Sequence, residues 1–238
     1  MRLSWIADAL RSEGLDVLEL PGWKGRGKEL TTVRGIVQHN TVTSPATADG
    51  NVDKLLRDGR PDLAGPLCQL GLRRSGTFVA VADGIGNHNG YGLWGNESLG
   101  IEVYNDGYDE PWSAAQVSAS EIGSAVICRR LGLDPLSQVK GHRETDPKRK
   151  VDPRLKQVDL DALRLRIAVR LGSTTPTEDD MFTDADRELL ARINDKTEHN
   201  RWNRDVLDGI SAAVSKIAAG DGASATEILD QLAERLKD

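Results

Sequence analysis

Gly35-Ile36-Val37-Gln38-His39-Asn40 is a short apolar run that closes on polar residues. That pattern predicts a buried strand delivering a side chain at its end. Ser98 to Tyr104 reads as a second strand, and Val139 to Gly141 as a third, short one followed by a polar loop over 142–154. Leu15 to Leu20 is strand-like and is turned by Pro21-Gly22. Leu67–Leu72 and Thr77–Ala82 flank Arg73-Arg74-Ser75-Gly76 and predict a β-hairpin. Helices are expected between these strands. Ser4 is placed to cap one carrying Trp5, Ile6, Ala9 and Leu10, with Gly14 as its stop. Others are expected over Asp49–Asp58, Ser113–Leu131 ending at Gly132, and Asp159–Leu171. Residues 84–97, rich in Gly and Asn, form a long irregular loop. Strands and helices in this order imply an α/β domain with a mixed β-sheet flanked by helices.

Charge divides the chain more sharply than hydrophobicity does. Of its 238 residues, 37 are acidic and 31 basic, for a net charge of −6. Residues 173–238 hold 15 acids and 8 bases, whereas the first 172 hold 22 and 23. The acidity therefore belongs to the C-terminal segment alone. Three parts are expected: a domain over 1–172, a polar linker at 173–182, and a helical segment at 183–238. In that segment Leu189, Ile193, Lys196, Asn200, Asn203, Leu207, Ile210, Val214 and Ile217 fall on steps of four and three. Such a heptad seam serves either a homo-oligomer or an intrachain hairpin with a last helix capped at Ser224 and Glu227.

Composition removes several function classes. The acidic balance speaks against a nucleic-acid binder. No apolar stretch reaches the ~20 residues needed to cross a bilayer. The start, MRLSWIADALRSEGLD, lacks the apolar core of a signal peptide. Cytoplasmic synthesis without stable membrane insertion is the expectation. Two cysteines, Cys68 and Cys128, make neither a disulfide scaffold nor a four-thiolate zinc site, and are expected to be buried thiols. With one Trp, one Phe and no Tyr, residues 173–238 do not suit an aromatic wall-binding β module.

Only four histidines are available: His39, His88, His142 and His199. His39 and His142 each follow a strand, and Asp152 lies ten residues beyond His142. Two imidazoles and a carboxylate suit zinc with one position left for water. Spacing does not select this set, because the two histidines are 103 residues apart. Each also reads as an ordinary strand-end histidine.

Taken in order, VQHNTV at 37–42, LRRSGTFV at 72–79, NHNG at 87–90, SLGIEVYN at 98–105, GHRE at 141–144 and KVDP at 150–153 resemble the zinc-dependent type 2 N-acetylmuramoyl-L-alanine amidases. That family includes phage amidases, muropeptide-recycling amidases and the peptidoglycan recognition proteins. The resemblance covers about 33–171, and the whole arrangement looks most like an endolysin of an actinobacterial phage. Arg outnumbers Lys 21 to 10, in keeping with a GC-rich genome.

The resemblance implies the remaining roles. His39, His142 and Asp152 match the Zn²⁺ ligands. Glu102 matches a catalytic carboxylate, general base and then acid, and Lys150 faces the scissile carbonyl. His88 and Asn89 match a substrate-groove motif. Glu144 is a rival base or a support for His142. Cys68 stands where some phage members carry a tyrosine. The implied substrate is peptidoglycan, cut by zinc-activated water between N-acetylmuramic acid and L-alanine. The implied setting is host-cell lysis after holin-dependent release from the cytoplasm. Two other readings stay open, a non-catalytic peptidoglycan-binding protein and a zinc peptidase cutting the stem peptide.

Overall fold

The computed structural model describes residues 1–172, and the expected linker at 173–182, the heptad seam and His199 lie outside the described residues. From the N-terminus come α1 (Ile6–Ser12), β1 (Val17–Glu19), β2 (Ile36–Asn40) and α2 (Asp49–Asp58). A small pair, β3 (Gly59–Arg60) and β4 (Leu63–Ala64), precedes β5 (Leu70–Leu72), β6 (Phe78–Ala80) and β7 (Leu99–Val103). Then follow α3 (Ala114–Leu131), α4 (Pro135–Gln138), β8 (Val139–Gly141), α5 (His142–Thr145) and α6 (Leu160–Gly172). The expected mixed sheet flanked by helices is what forms.

Six strands make the main sheet, in the order β1-β6-β5-β7-β2-β8. β5, β7, β2 and β8 run parallel, and β6 turns back antiparallel to β5 through the expected hairpin. β2 sits between β7 and β8 and is buried at all five positions. A strand covered on both faces needs a near-continuous apolar run, which is why the stretch from Gly35 was readable. α2, with Val52 and Leu56, packs against Val79, Val81, Cys68 and Tyr104 in one core cluster. On α3, Gly123 lies so close to the Phe78 ring that a Cβ there would stand 2.6 Å from it.

Local signals fixed some boundaries and misled at others. α3 carries a full capping box, Ser113 with Gln116, and ends at Gly132 in the left-handed conformation. The N-cap of α1 is Trp5 rather than Ser4, with no side-chain cap bond. Its first turn is held instead by packing, with Ile6 and Leu10 fully buried. The polar stretch after Gly141 is not all loop: His142 opens a one-turn helix whose Glu144 side chain accepts the Gly141 N–H at 2.7 Å. Cys68 and Cys128 are free and buried. Among the described residues no helix is long and apolar enough to cross a membrane.

Candidate active site

Four parallel strands deliver their C-terminal ends to one edge of the sheet, where open α/β sheets ordinarily place their sites. His39 lies next to last in β2, and its partner across the ladder is Glu102 of β7. Beyond β8, on the other side of β2, His142 begins α5. Strand pairing thus closes the 103-residue gap between the two histidines.

Asp152 completes a cluster. His39 Nδ1 lies 2.9 Å from His142 Nδ1, and Asp152 Oδ2 lies 3.7 Å and 3.5 Å from those two atoms. Ligands at ~2.0–2.1 Å from a tetrahedral zinc stand ~3.3 Å apart, so these spacings fit such an ion. Two imidazole nitrogens and one carboxylate oxygen form the donor set of an open zinc site. His39 and His142 are only 2% and 5% exposed, so the ion would be bound away from bulk water. Burial, reinforced by His142, His88 and Lys150, pushes the His39 pKa well below its ordinary value. His39 is therefore neutral, as a metal ligand must be.

Loop contacts hold Asp152 in place. Its carbonyl accepts the Arg143 N–H at 2.7 Å, and its Oδ2 accepts the Asn40 N–H at 3.4 Å. Behind it runs a buried amide network. Asn40 Nδ2 donates to Gln157 Oε1, Gln157 Nε2 donates to Asn105 Oδ1, and Trp112 Nε1 donates to Asn40 Oδ1, at 2.7, 2.7 and 2.9 Å. This network ties the 150–158 loop to the ends of β2 and β7. Sequence reasoning missed Gln157; three amides and a Trp scattered over 117 positions give no local pattern.

Two carboxylates stand near the cluster. Glu102 Oε2 is buried without a hydrogen-bond partner. Burial, helped by the Asp152 charge and opposed by Lys150 and Arg60, raises the Glu102 pKa to about 8. Glu144 instead accepts from Arg164 Nη1 at 2.9 Å and Nη2 at 3.0 Å. Burial alone would raise its pKa, but Arg164 and the Gly141 N–H outweigh that and lower it. Glu144 is thereby committed to the start of α5 and is not a free base. Lys150 makes no ion pair among the described residues, and its charge is felt at both Glu102 and His39. Cys68 is fully buried and its thiol pKa is pushed well up, so it does not replace a tyrosine base.

His88 and Asn89, expected in the substrate groove, are buried and bonded within the protein. His88 is 9% exposed and Asn89 1% exposed. Both ring nitrogens of His88 bond within the protein, one to His39 Nε2 and one to the Ser98 carbonyl. Asn89 Nδ2 donates to the Leu93 carbonyl, and its Oδ1 accepts from Thr145 Oγ1. Its polar atoms pin the 84–97 loop to α5. The exposed side chains of that loop are Leu93, 49% accessible, and Tyr91, 87% accessible, with the Arg149 guanidinium 4.6 Å from the Tyr91 ring centroid.

The family signature of N-acetylmuramoyl-L-alanine amidases matches residues 29–155. Among solved structures, the N-acetylmuramoyl-L-alanine amidase LysC from Clostridium intestinale superposes with a TM-score of 0.51 at 14% identity, over 64% of this chain and 97% of that one. A mutant endolysin from Bacillus subtilis gives 0.48 at 17% identity, over 64% and 99%. Drosophila PGRP-LB gives 0.46 at 16%, over 58% and 86%. No curated protein matches the sequence.

Proposed function

The chain belongs to the N-acetylmuramoyl-L-alanine amidase family, and from that premise we propose that it hydrolyses the amide between the muramic acid lactyl group and L-alanine in peptidoglycan. His39, His142 and Asp152 would hold the Zn²⁺. What supports this reading is a convergent three-donor cluster beside a carboxyl oxygen that nothing in the protein satisfies. When bound, the ion supplies Lewis acidity, polarising the scissile carbonyl and acidifying the attacking water toward a pKa of ~7.

The remaining work falls to side chains of this chain. Glu102 Oε2 accepts a proton from the attacking water, whose oxygen bonds to the carbonyl carbon. Glu102 then returns that proton to the alanine nitrogen as the carbon–nitrogen bond breaks. The products are a lactyl carboxylate and a free L-alanyl amino terminus. A Glu that favours its neutral form is well suited to the second half of this cycle. Positive charge brought beside it favours the ionised form needed for the first half. Lys150, which makes no ion pair among the described residues, offers a fixed charge to the oxygen on which negative charge develops. Burial keeps His39 neutral, and both His39 and His142 are held in place by their burial.

An endolysin role belongs to the same proposal and rests on the order of the six motifs. Residues 173–238 are proposed as a helical assembly element; removing them should leave zinc content intact while altering mass in solution. The decisive experiment is digestion of purified cell walls followed by mass analysis of the muropeptides. New L-alanyl amino termini without new reducing sugars are expected. Cuts within the stem peptide, or new reducing ends, would overturn the assignment.

A further inference from the structure

The least explained group near the cluster is His88, a histidine that is not among the three metal donors yet touches one of them. Its Nε2 lies 3.0 Å from the Ser98 carbonyl oxygen, which only accepts, so Nε2 carries a hydrogen. The ring is buried against His39, the Ser98 carbonyl and β7, and among the described residues no carboxylate is in hydrogen-bond contact with it, so burial favours its neutral form. A neutral imidazole with hydrogen on Nε2 has a bare Nδ1. That Nδ1 lies 2.9 Å from His39 Nε2, which must therefore donate. With its hydrogen on Nε2, His39 presents a bare Nδ1 to His142 and Asp152.

Direction thus passes along the chain Ser98 carbonyl, His88, His39, cluster. The rings of His39 and His88 meet edge to face at 87°, with centroids 5.0 Å apart. Room for the relay is built into β7: a Cβ on Gly100 would stand 2.7 to 2.9 Å from three atoms of the His88 ring. Gly100 and Glu102 lie on the same face of β7, so one strand both seats the relay and presents the candidate base.

We propose that His88 is a positioning residue which fixes the His39 tautomer through the Ser98 carbonyl, so that Nδ1 faces the metal position before any ion arrives. This rests on His39 being a ligand, as in the function proposed above. Partners that orient a metal-bound histidine commonly change affinity by about 10–100-fold when removed.

Tautomers can be read in the wild-type metal-free protein by long-range nitrogen–proton correlation of the histidine rings. His39 and His88 should both carry hydrogen on Nε2 alone. Hydrogen on His39 Nδ1 would overturn the relay without any variant. Zinc affinity, by competition with a chromogenic chelator, gives the second readout. His88→Leu should weaken zinc about 10–100-fold and mix the His39 tautomers. His88→Asn keeps an acceptor where Nδ1 stands and should restore a single tautomer and most of the affinity. Unchanged affinity and tautomer in a folded His88→Leu protein would sink the idea, as would equal losses in Leu and Asn variants of equal thermal stability. A wild-type chain that ignores zinc but shows the stated tautomers would instead strike at the metal-dependent function and spare the relay.

Discussion

On opposite sides of β2 the molecule places one glutamate each, and the two are treated in opposite ways. Glu102, on β7, has an oxygen buried with no partner and a pKa raised to about 8. Glu144, in α5, has both oxygens bonded to Arg164, accepts the Gly141 N–H as well, and has its pKa lowered. One site commits its carboxylate to structure, capping the helix that bears His142 and tying it to Arg164 of α6. The other leaves Oε2 without a partner, which in the proposed mechanism frees it to exchange a proton with what enters. In the proposed mechanism, stability and reactivity are thus separated between two residues of the same type within one site.

Activity should break the symmetry most strongly. Glu102→Gln keeps the shape but cannot carry the proton, and kcat on muropeptide should fall about 10²–10⁴-fold. Zinc content and melting temperature should hold. Equal loss of activity and of zinc would mean that Glu102 supports the metal position rather than the proton.

Lys150→Met should come next, at about 10²-fold in kcat with a smaller change in KM, if its charge acts on the developing oxyanion. Glu144 has no role in that step, so combining Lys150→Met with changes at Glu144 should add only a stability loss. A Lys150→Met effect confined to KM would mark simple substrate attraction.

Stability against pH should sharpen the contrast, because the two glutamates act with opposite signs. A raised carboxyl pKa means that the folded chain keeps a proton which the unfolded chain releases. From near 4.5 to about 8, Glu102 therefore lowers stability as pH rises. Glu144, with its lowered pKa, adds stability above its ordinary range that is lost as pH falls. Chemical denaturation of metal-free wild type and Glu102→Gln at pH 5 and pH 8 isolates the first contribution. Wild type should lose up to a few kcal/mol relative to the variant across that interval, at most about 1.4 kcal/mol per pH unit. Parallel curves would show that water reaches Glu102 and that its burial is incomplete.

How much of this contrast was legible in sequence depended on range. β2 and β7 declared themselves, because strands buried on both faces need apolar runs, and Ser113 with Gly132 bracketed α3. His39, His142 and Asp152 were named from motif order, but their meeting depends on β2 pairing with both β7 and β8, which no local pattern encodes. The motif resemblance put Glu102 ahead of Glu144 as the base, but no local pattern showed what Glu144 does instead. That is set by Arg164, 20 positions beyond Glu144 on another helix. The resemblance placed His88 in the substrate groove, and its partners, Ser98 and His39, were not legible because they become neighbours only once the 84–97 loop folds back. Ser4 failed as a cap because burial of Ile6 and Leu10 decides where α1 begins.

The smallest effect is expected where the structure looks best bonded. Glu144→Gln puts a neutral group opposite Arg164, which keeps its ion pair with Asp161, and weakens the cap on α5. Because the Glu144 side chain is 28% exposed, water recovers part of the loss, and about 1–3 kcal/mol of unfolding free energy is expected to disappear. Arg164 also donates to the Val139 carbonyl at 3.0 Å, so it is not left without partners. In a double-mutant cycle, Arg164→Leu should therefore cost less in the Glu144→Gln background than in wild type, with a coupling of about 0.5–3 kcal/mol. Activity per folded, zinc-loaded molecule should change little. If Glu144→Gln instead abolished turnover at unchanged stability and zinc content, the two glutamates would have to exchange roles. The orphaned oxygen of Glu102 would then be the feature needing another explanation.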